Sequence, residues 1–266
     1  AIYGLVTTIQ GGVCSVVPAK NYGHDLDAMA AAITDKTRLI FVTNPNNPTG
    51  TWLTRTEVSD FMAKVPTDVV VVLDEAYFEY VGESDYCDGL TLLPEYPNLV
   101  ITRTFSKAYG LASLRIGYGI SAPEIADLMN RVRPPFNVNS FALAAAVATL
   151  NDDEYVAESK AVNDAGMAYL TQAFDDMGLP YIPSVGNFIS FEIPTEIDQK
   201  PTNISASEVN AQLLANGVII RPVANYEMPT YLRASIGTAK ENETFIAKLK
   251  NILADARSWV FKRRRI

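Results

Sequence analysis

Three short stretches concentrate side chains able to do chemistry. Asn44-Pro45-Asn46-Asn47-Pro48-Thr49-Gly50 offers amides, Asp74-Glu75-Ala76-Tyr77 a carboxylate with a phenol, and Thr104-Phe105-Ser106-Lys107-Ala108-Tyr109-Gly110 hydroxyls with an amine. Asp74 follows five consecutive apolar residues, Val69–Leu73, which places it at the edge of a buried sheet. A carboxylate there is costly unless a cation or several donors meet it. Alone, Asp74 reads equally as a helix cap or an ion-pair residue, and Lys107 as an ordinary exposed lysine. With the hydroxyl-rich turn and Arg115, eight residues past Lys107, those readings lose ground. The set fits an anionic cofactor whose ring nitrogen needs a negative charge and whose carbonyl needs an amine.

The elements that must position these residues alternate along the first half. Val13–Val17, Leu39–Thr43, Val69–Leu73, Leu99–Arg103 and Ile116–Ile120 read as strands, several apolar on both faces as covered parallel strands are. Asp25 can cap a helix over Leu26–Ile33, Thr54-Arg55-Thr56-Glu57 has capping-box spacing, and Ser140 can cap Phe141–Leu150. Strand and helix in alternation predict an α/β sheet. The three stretches then lie beyond the carboxyl ends of strands, where open α/β sheets bind ligands. The second half predicts a long helix over Asp153–Met177, a strand at Phe188–Ile193, a polar loop over Pro194–Asn203 and a helix over Ser205–Asn216. Short strands at Val218–Arg221 and Tyr231–Ile236 and a helix from Lys240 to Trp259 close the pattern. This predicts a larger domain over residues 1–152 and a smaller α+β domain over 153–266.

Composition narrows the function classes. With 48% hydrophobic and 20% charged residues in 266, the chain has the makings of an ordinary globular core rather than disorder. A formal charge of −8 argues against nucleic acid as a main ligand, because phosphate neutralisation needs a basic face. The one basic run, Lys262–Arg265, reads as a solvated tail. Cys14 and Cys87 show no metal-ligand spacing, and the single histidine, His24, reads as a turn residue before a helix. No metal site is expected. The longest apolar stretch, Phe141–Leu150, is far too short to span a bilayer, and Ala1-Ile2-Tyr3-Gly4 does not read as a signal peptide. A cytoplasmic location is expected. Neither a dinucleotide glycine fingerprint nor a P-loop occurs.

The stretch Thr104 to Ser113 resembles the lysine-attachment signature of the class-II group of fold-type I aminotransferases. Asn44–Gly50 and Asp74–Tyr77 match the other two hallmarks of that family, in the family's order. Lys107–Tyr118, Gly217–Pro222 and Tyr231–Thr238 are most similar to the histidinol-phosphate aminotransferases. The resemblance implies pyridoxal 5′-phosphate as cofactor, a fold-type I large domain with a mostly parallel sheet, and a homodimer. It also implies small amino and oxo acids as substrates, specifically histidinol phosphate with 2-oxoglutarate in histidine biosynthesis. Lys107 would form the Schiff base and move the proton between Cα and C4′. Asp74 would pair with the pyridine nitrogen, Tyr77 and Asn47 would bond the ring oxygen, and Thr104, Ser106 and Arg115 would hold the phosphate. Arg233 would clamp the substrate α-carboxylate, Arg221 would meet the substrate phosphate, and Asn187 would contact substrate.

The resemblance also implies a preceding segment with a glycine-rich phosphate turn, a ring-stacking aromatic and a tyrosine reaching across the dimer. Tyr3 and Tyr22 are not expected to replace these groups, and an incomplete large domain with weakened cofactor binding is expected. An aromatic amino acid transaminase, a decarboxylase relative and a catalytically silent fragment remain as alternatives.

Overall fold

Leu39–Thr43 (β1), Val70–Asp74 (β2) and Leu99–Thr104 (β3) form the parallel part of a sheet, and Gly117–Ser121 (β4) closes it antiparallel to β3, in the order β1-β2-β3-β4. The structure, a computed structural model, describes residues 2–194, 196–197, 200–201 and 204–263. The chain divides into two compact units, Ala1–Asn46 with Thr51–Asn151, and Asn47–Gly50 with Asp152–Ile266.

The first unit holds the β1–β4 sheet and the helices Ile2–Ile9 (α1), Leu26–Ala31 (α2), Arg55–Met62 (α3), Pro123–Val132 (α4) and Ser140–Thr149 (α5). Its main core packs Val58, Phe61 and Met62 of α3 with Val71, Leu73 and Ile101 of the sheet. Two caps form as predicted: Asp25 accepts from Ala28 N, and Thr54 and Glu57 make a reciprocal capping box. Register puts Thr43 beside Asp74 and Asp74 beside Thr102, so three strand ends lie next to one another.

The second unit is built on a separate sheet. Asp153–Met177 (α6) leads to Tyr181–Ile182 (β5), Phe188–Glu192 (β6), the hairpin Glu196–Ile197 (β7) and Lys200–Pro201 (β8), and Ala206–Ala215 (α7). Arg221–Pro222 (β9), Tyr231–Ser235 (β10) and Ala239–Arg263 (α8) follow. The antiparallel order is β5-β6-β10-β9. Phe174 of α6, Phe191 of β6 and Phe245 of α8 meet in its core, with Phe174 and Phe191 stacked at 4.6 Å. The α/β class is as expected, and α6 has its predicted bounds.

Three expectations fail. Val13–Val17 is not a strand: among the described residues no strand pairs with it, and Val13 and Val16 are 96% and 82% exposed. Asn139, not Ser140, caps α5, because its side chain accepts from Ala142 N at 2.9 Å and Ser140 becomes the first helical residue. The strand expected over Val218–Arg221 shortens to Arg221–Pro222, since Val218 N–H donates to Leu213 O and closes the end of α7. The predicted polar loop holds the small β7–β8 hairpin, and residues 195, 198, 199, 202 and 203 of it lie outside the described residues. So do Arg264 and Arg265 of the basic run.

Candidate active site

In the first unit, Asp74 ends β2 half-buried, and its carboxylate accepts from Ala76 N at 3.1 Å and from the Tyr3 hydroxyl. Tyr3, on α1, stacks on Phe41 of β1 with ring centroids 4.3 Å apart. Burial, and then the Asp74 charge, hold the Tyr3 phenol well above its ordinary range. Tyr77 is buried in the turn after β2, and Lys107 Nζ lies 5.3 Å from the centre of its ring. Thr104 ends β3 and its hydroxyl accepts from Ser106 N at 3.0 Å, which shapes the turn leading to Lys107. Ser106 and Lys107 are both half-buried there. Arg115 is exposed, in left-handed backbone at φ 55°, and spends one guanidinium N–H on Ala112 O at 2.7 Å. Asp74, Tyr77 and Lys107 thus gather at the ends of β2 and β3, whereas Arg115 stands on a separate turn.

The loop after β1 is fixed by buried amide chemistry. Asn44 is fully buried, its side chain exchanging hydrogen bonds with both backbone groups of Leu53, and its N–H donates to Asp74 O at 2.9 Å. Tyr86 donates to Asn44 O at 2.6 Å.

In the second unit, Arg233 of β10 donates to the Asn47 side-chain oxygen and lies over the Phe188 ring at 5.0 Å. The segment Asn47–Gly50 is held there by Ser190, which donates to Pro48 O at 2.6 Å, and by Val185 N on Gly50 O. Gly50 sits at φ +79°, and a Cβ on it would meet Ser184 Oγ at 1.9 Å, so only glycine fits. Asn187 is half-buried beside β6, its carbonyl accepting from Ile236 N at 2.9 Å. Arg221 is exposed on β9 and pairs in register with Arg233 across the ladder. Asn47, Arg221 and Arg233 are brought together.

The sequence profile of aminotransferase class I and II matches residues 2–249. The chain belongs to that family. Within it, the chain is 54% identical to histidinol-phosphate aminotransferase 2 of Pseudomonas fluorescens over 256 residues, covering 96% of this chain and 67% of that protein. It is 56% identical to the histidinol-phosphate aminotransferase of Methylobacillus flagellatus, covering 95% and 66% respectively. The chain therefore spans about two thirds of the length of the curated relatives it matches. The crystal structure of histidinol-phosphate aminotransferase from Sinorhizobium meliloti in complex with pyridoxal-5′-phosphate superposes with a TM-score of 0.85 at 30% identity, covering 95% of this chain and 68% of that one.

Two residues of this aminotransferase escape a reading of sequence alone. Tyr3, set aside there, reaches Asp74 from 71 residues away, and no local pattern announces that contact. His24 does more than turn the chain: its Nε2 accepts from Thr43 N at 3.1 Å, and the Thr43 hydroxyl donates to the Asn46 side chain at 2.7 Å. An imidazole accepting at Nε2 carries its proton on Nδ1 and cannot take a second without losing that bond. Burial accordingly lowers the His24 pKa below 6.5. Its contribution to stability is then present above the unfolded value and is lost as the pH falls from there through the folded one. Since His24 is the chain's only histidine, its imidazole NMR resonances are unambiguous and are expected to titrate below 6.5. Titration at or above that value would show that the His24 ring is not buried as described. Among the described residues, no group of histidine, cysteine and carboxylate side chains could hold a metal, and no helix is long and apolar enough to cross a membrane.

Proposed function

We propose that the protein carries out pyridoxal-phosphate-dependent transamination, with histidinol phosphate as amino donor and 2-oxoglutarate as acceptor. The observation that carries this reading is the convergence of Asp74, Tyr77 and Lys107 at two neighbouring strand ends, in a chain so similar to histidinol-phosphate aminotransferases. The donor set fits the cofactor: a carboxylate for its ring nitrogen, a phenol for its ring oxygen, an amine for its carbonyl, and two hydroxyls with a guanidinium for its phosphate.

When bound, pyridoxal phosphate supplies an electron sink for charge developing at the substrate Cα. Lys107 binds the cofactor and moves the proton at Cα. Asp74 holds the ring nitrogen's proton in place. Tyr77 and Asn47 bond the ring oxygen, and Thr104, Ser106 and Arg115 bind the phosphate, Arg115 with the guanidinium donors not spent on Ala112 O. Arg233 takes the substrate α-carboxylate, and Asn187 contacts substrate. A cytoplasmic homodimer completes the reading. Exposed apolar side chains on α4 and α5 and between them, among them Val132, Phe136 and Phe141, support self-association. Sedimentation equilibrium at twice the chain mass is the expected result.

Arg221 is assigned to the substrate phosphate. Arg221 and Arg233 are like charges directly opposite on neighbouring strands, an arrangement that is destabilising until an anion answers it. A charged hydrogen bond is worth about 1.5–3 kcal/mol. Arg221→Ala is therefore expected to lower kcat/KM for histidinol phosphate about 10- to 100-fold while leaving phenylalanine nearly unaffected. Equal losses on the two substrates would instead favour an aromatic amino acid transaminase.

A further inference from the structure

Behind the candidate active site lies a buried ionic cluster that no step above uses. Glu75, the residue after Asp74, is fully buried, and Arg103, the residue before Thr104, is 9% exposed. Arg103 Nε and Nη2 donate to Glu75 Oε2 at 2.9 and 2.7 Å, and Nη2 also reaches Asp88 Oδ1 at 2.8 Å. The other oxygen, Glu75 Oε1, accepts from Gly89 N at 2.7 Å. A side chain at Gly89 would bring a Cβ within 3.0 Å of that oxygen and 2.8 Å of Leu73, so glycine there permits the close approach. The guanidinium also lies 3.6 Å from the centre of the Phe78 ring.

Such a pair is a poor choice for stability alone. Taking two charges out of water is costly, and well-packed apolar residues of similar volume hold a fold equally well. Its placement suggests another use. One end is Glu75, between Asp74 and the turn that carries Tyr77; the ring on the guanidinium is Phe78, immediately after Tyr77. The other end is Arg103, one residue before the turn that carries Lys107. One guanidinium thus clasps the Asp74–Tyr77 segment at two points and anchors it to the start of the lysine turn.

We propose that Arg103, acting through Glu75 and Phe78, is a positioning residue that fixes Asp74 and Tyr77 relative to Lys107. The proposal rests on the cofactor reading above. Loosening the clasp should let the carboxylate and phenol drift from the cofactor ring, and a misplacement of about 1 Å can cost about 100-fold in rate.

The test compares wild type, Arg103→Lys and the double variant Glu75→Gln/Arg103→Met, the last removing both charges so that neither is left buried and unpaired. Each is titrated with pyridoxal phosphate, followed by the visible absorption band and its circular dichroism, which reports how the ring is held. The double variant is expected to melt close to wild type yet bind the cofactor about tenfold more weakly, with altered dichroism. Arg103→Lys, which keeps the charge but not the planar guanidinium, is expected to show the same changes. It decides the matter if the double variant melts below the assay temperature. Wild-type affinity and dichroism in a folded variant would overturn the proposal and leave the cofactor reading intact. A wild-type protein with no visible band would overturn both.

Discussion

Replacing Lys107 with alanine is expected to lower transamination by about 10³-fold or more, the scale of a lost proton-transfer group compounded by loss of the cofactor's amine anchor. The fold should survive. Lys107 is half-buried, and its contact with the Tyr77 ring at 5.3 Å is worth only about 0.5–1 kcal/mol. Steady-state rates beside a thermal melt check both halves of the expectation. Added methylamine should restore part of the rate, because a small amine can occupy the emptied space and move the proton. A variant that keeps a tenth of wild-type turnover would remove Lys107 from the chemistry.

The second large effect is expected at Asp74. Asp74→Asn keeps the acceptor for Ala76 N–H and the shape of the strand end, but removes the charge proposed to face the ring nitrogen. Preorganised electrostatic groups of this kind are worth about 10²–10³ in kcat. Only the bond from Tyr3 is weakened in the folded protein, about 1 kcal/mol, which moves the melting temperature of a domain this size by about 2–4 °C. Catalysis should therefore suffer far more than folding. Near-normal turnover together with a much earlier melt would make Asp74 a structural residue.

Much of the site is legible in sequence because strand ends are. Five apolar residues followed by Asp74, and a strand followed by a Thr/Ser turn and Lys107, are local patterns, and parallel pairing of β1, β2 and β3 brings their ends together. Tyr3 and His24 are illegible for the opposite reason. Their contacts with Asp74 and Thr43 depend on how distant segments pack, and neither sits in a motif that says so. Glu75 sits inside a recognised motif and Arg103 one residue before another, yet both read as their neighbours' spacers until the structure joins them.

The same division runs through the fold. The capping boxes at Thr54 and Ser205 and the bounds of α6 follow from side chains a few residues apart. Val13–Val17 has the composition of a strand, but a strand exists only against a neighbour, and that stretch has none among the described residues. At Val218 the backbone N–H had two possible uses, a ladder or the end of α7, and the nearer carbonyl took it.

The central claim, that Lys107 anchors pyridoxal phosphate, has a direct test. The protein is mixed with pyridoxal phosphate, reduced with borohydride to make the linkage permanent, digested, and its peptides mapped by mass spectrometry. The label is predicted on Lys107, in the peptide that continues into Ala108-Tyr109-Gly110-Leu111. Label on Lys20, Lys36 or Lys64, or none at all, would contradict it.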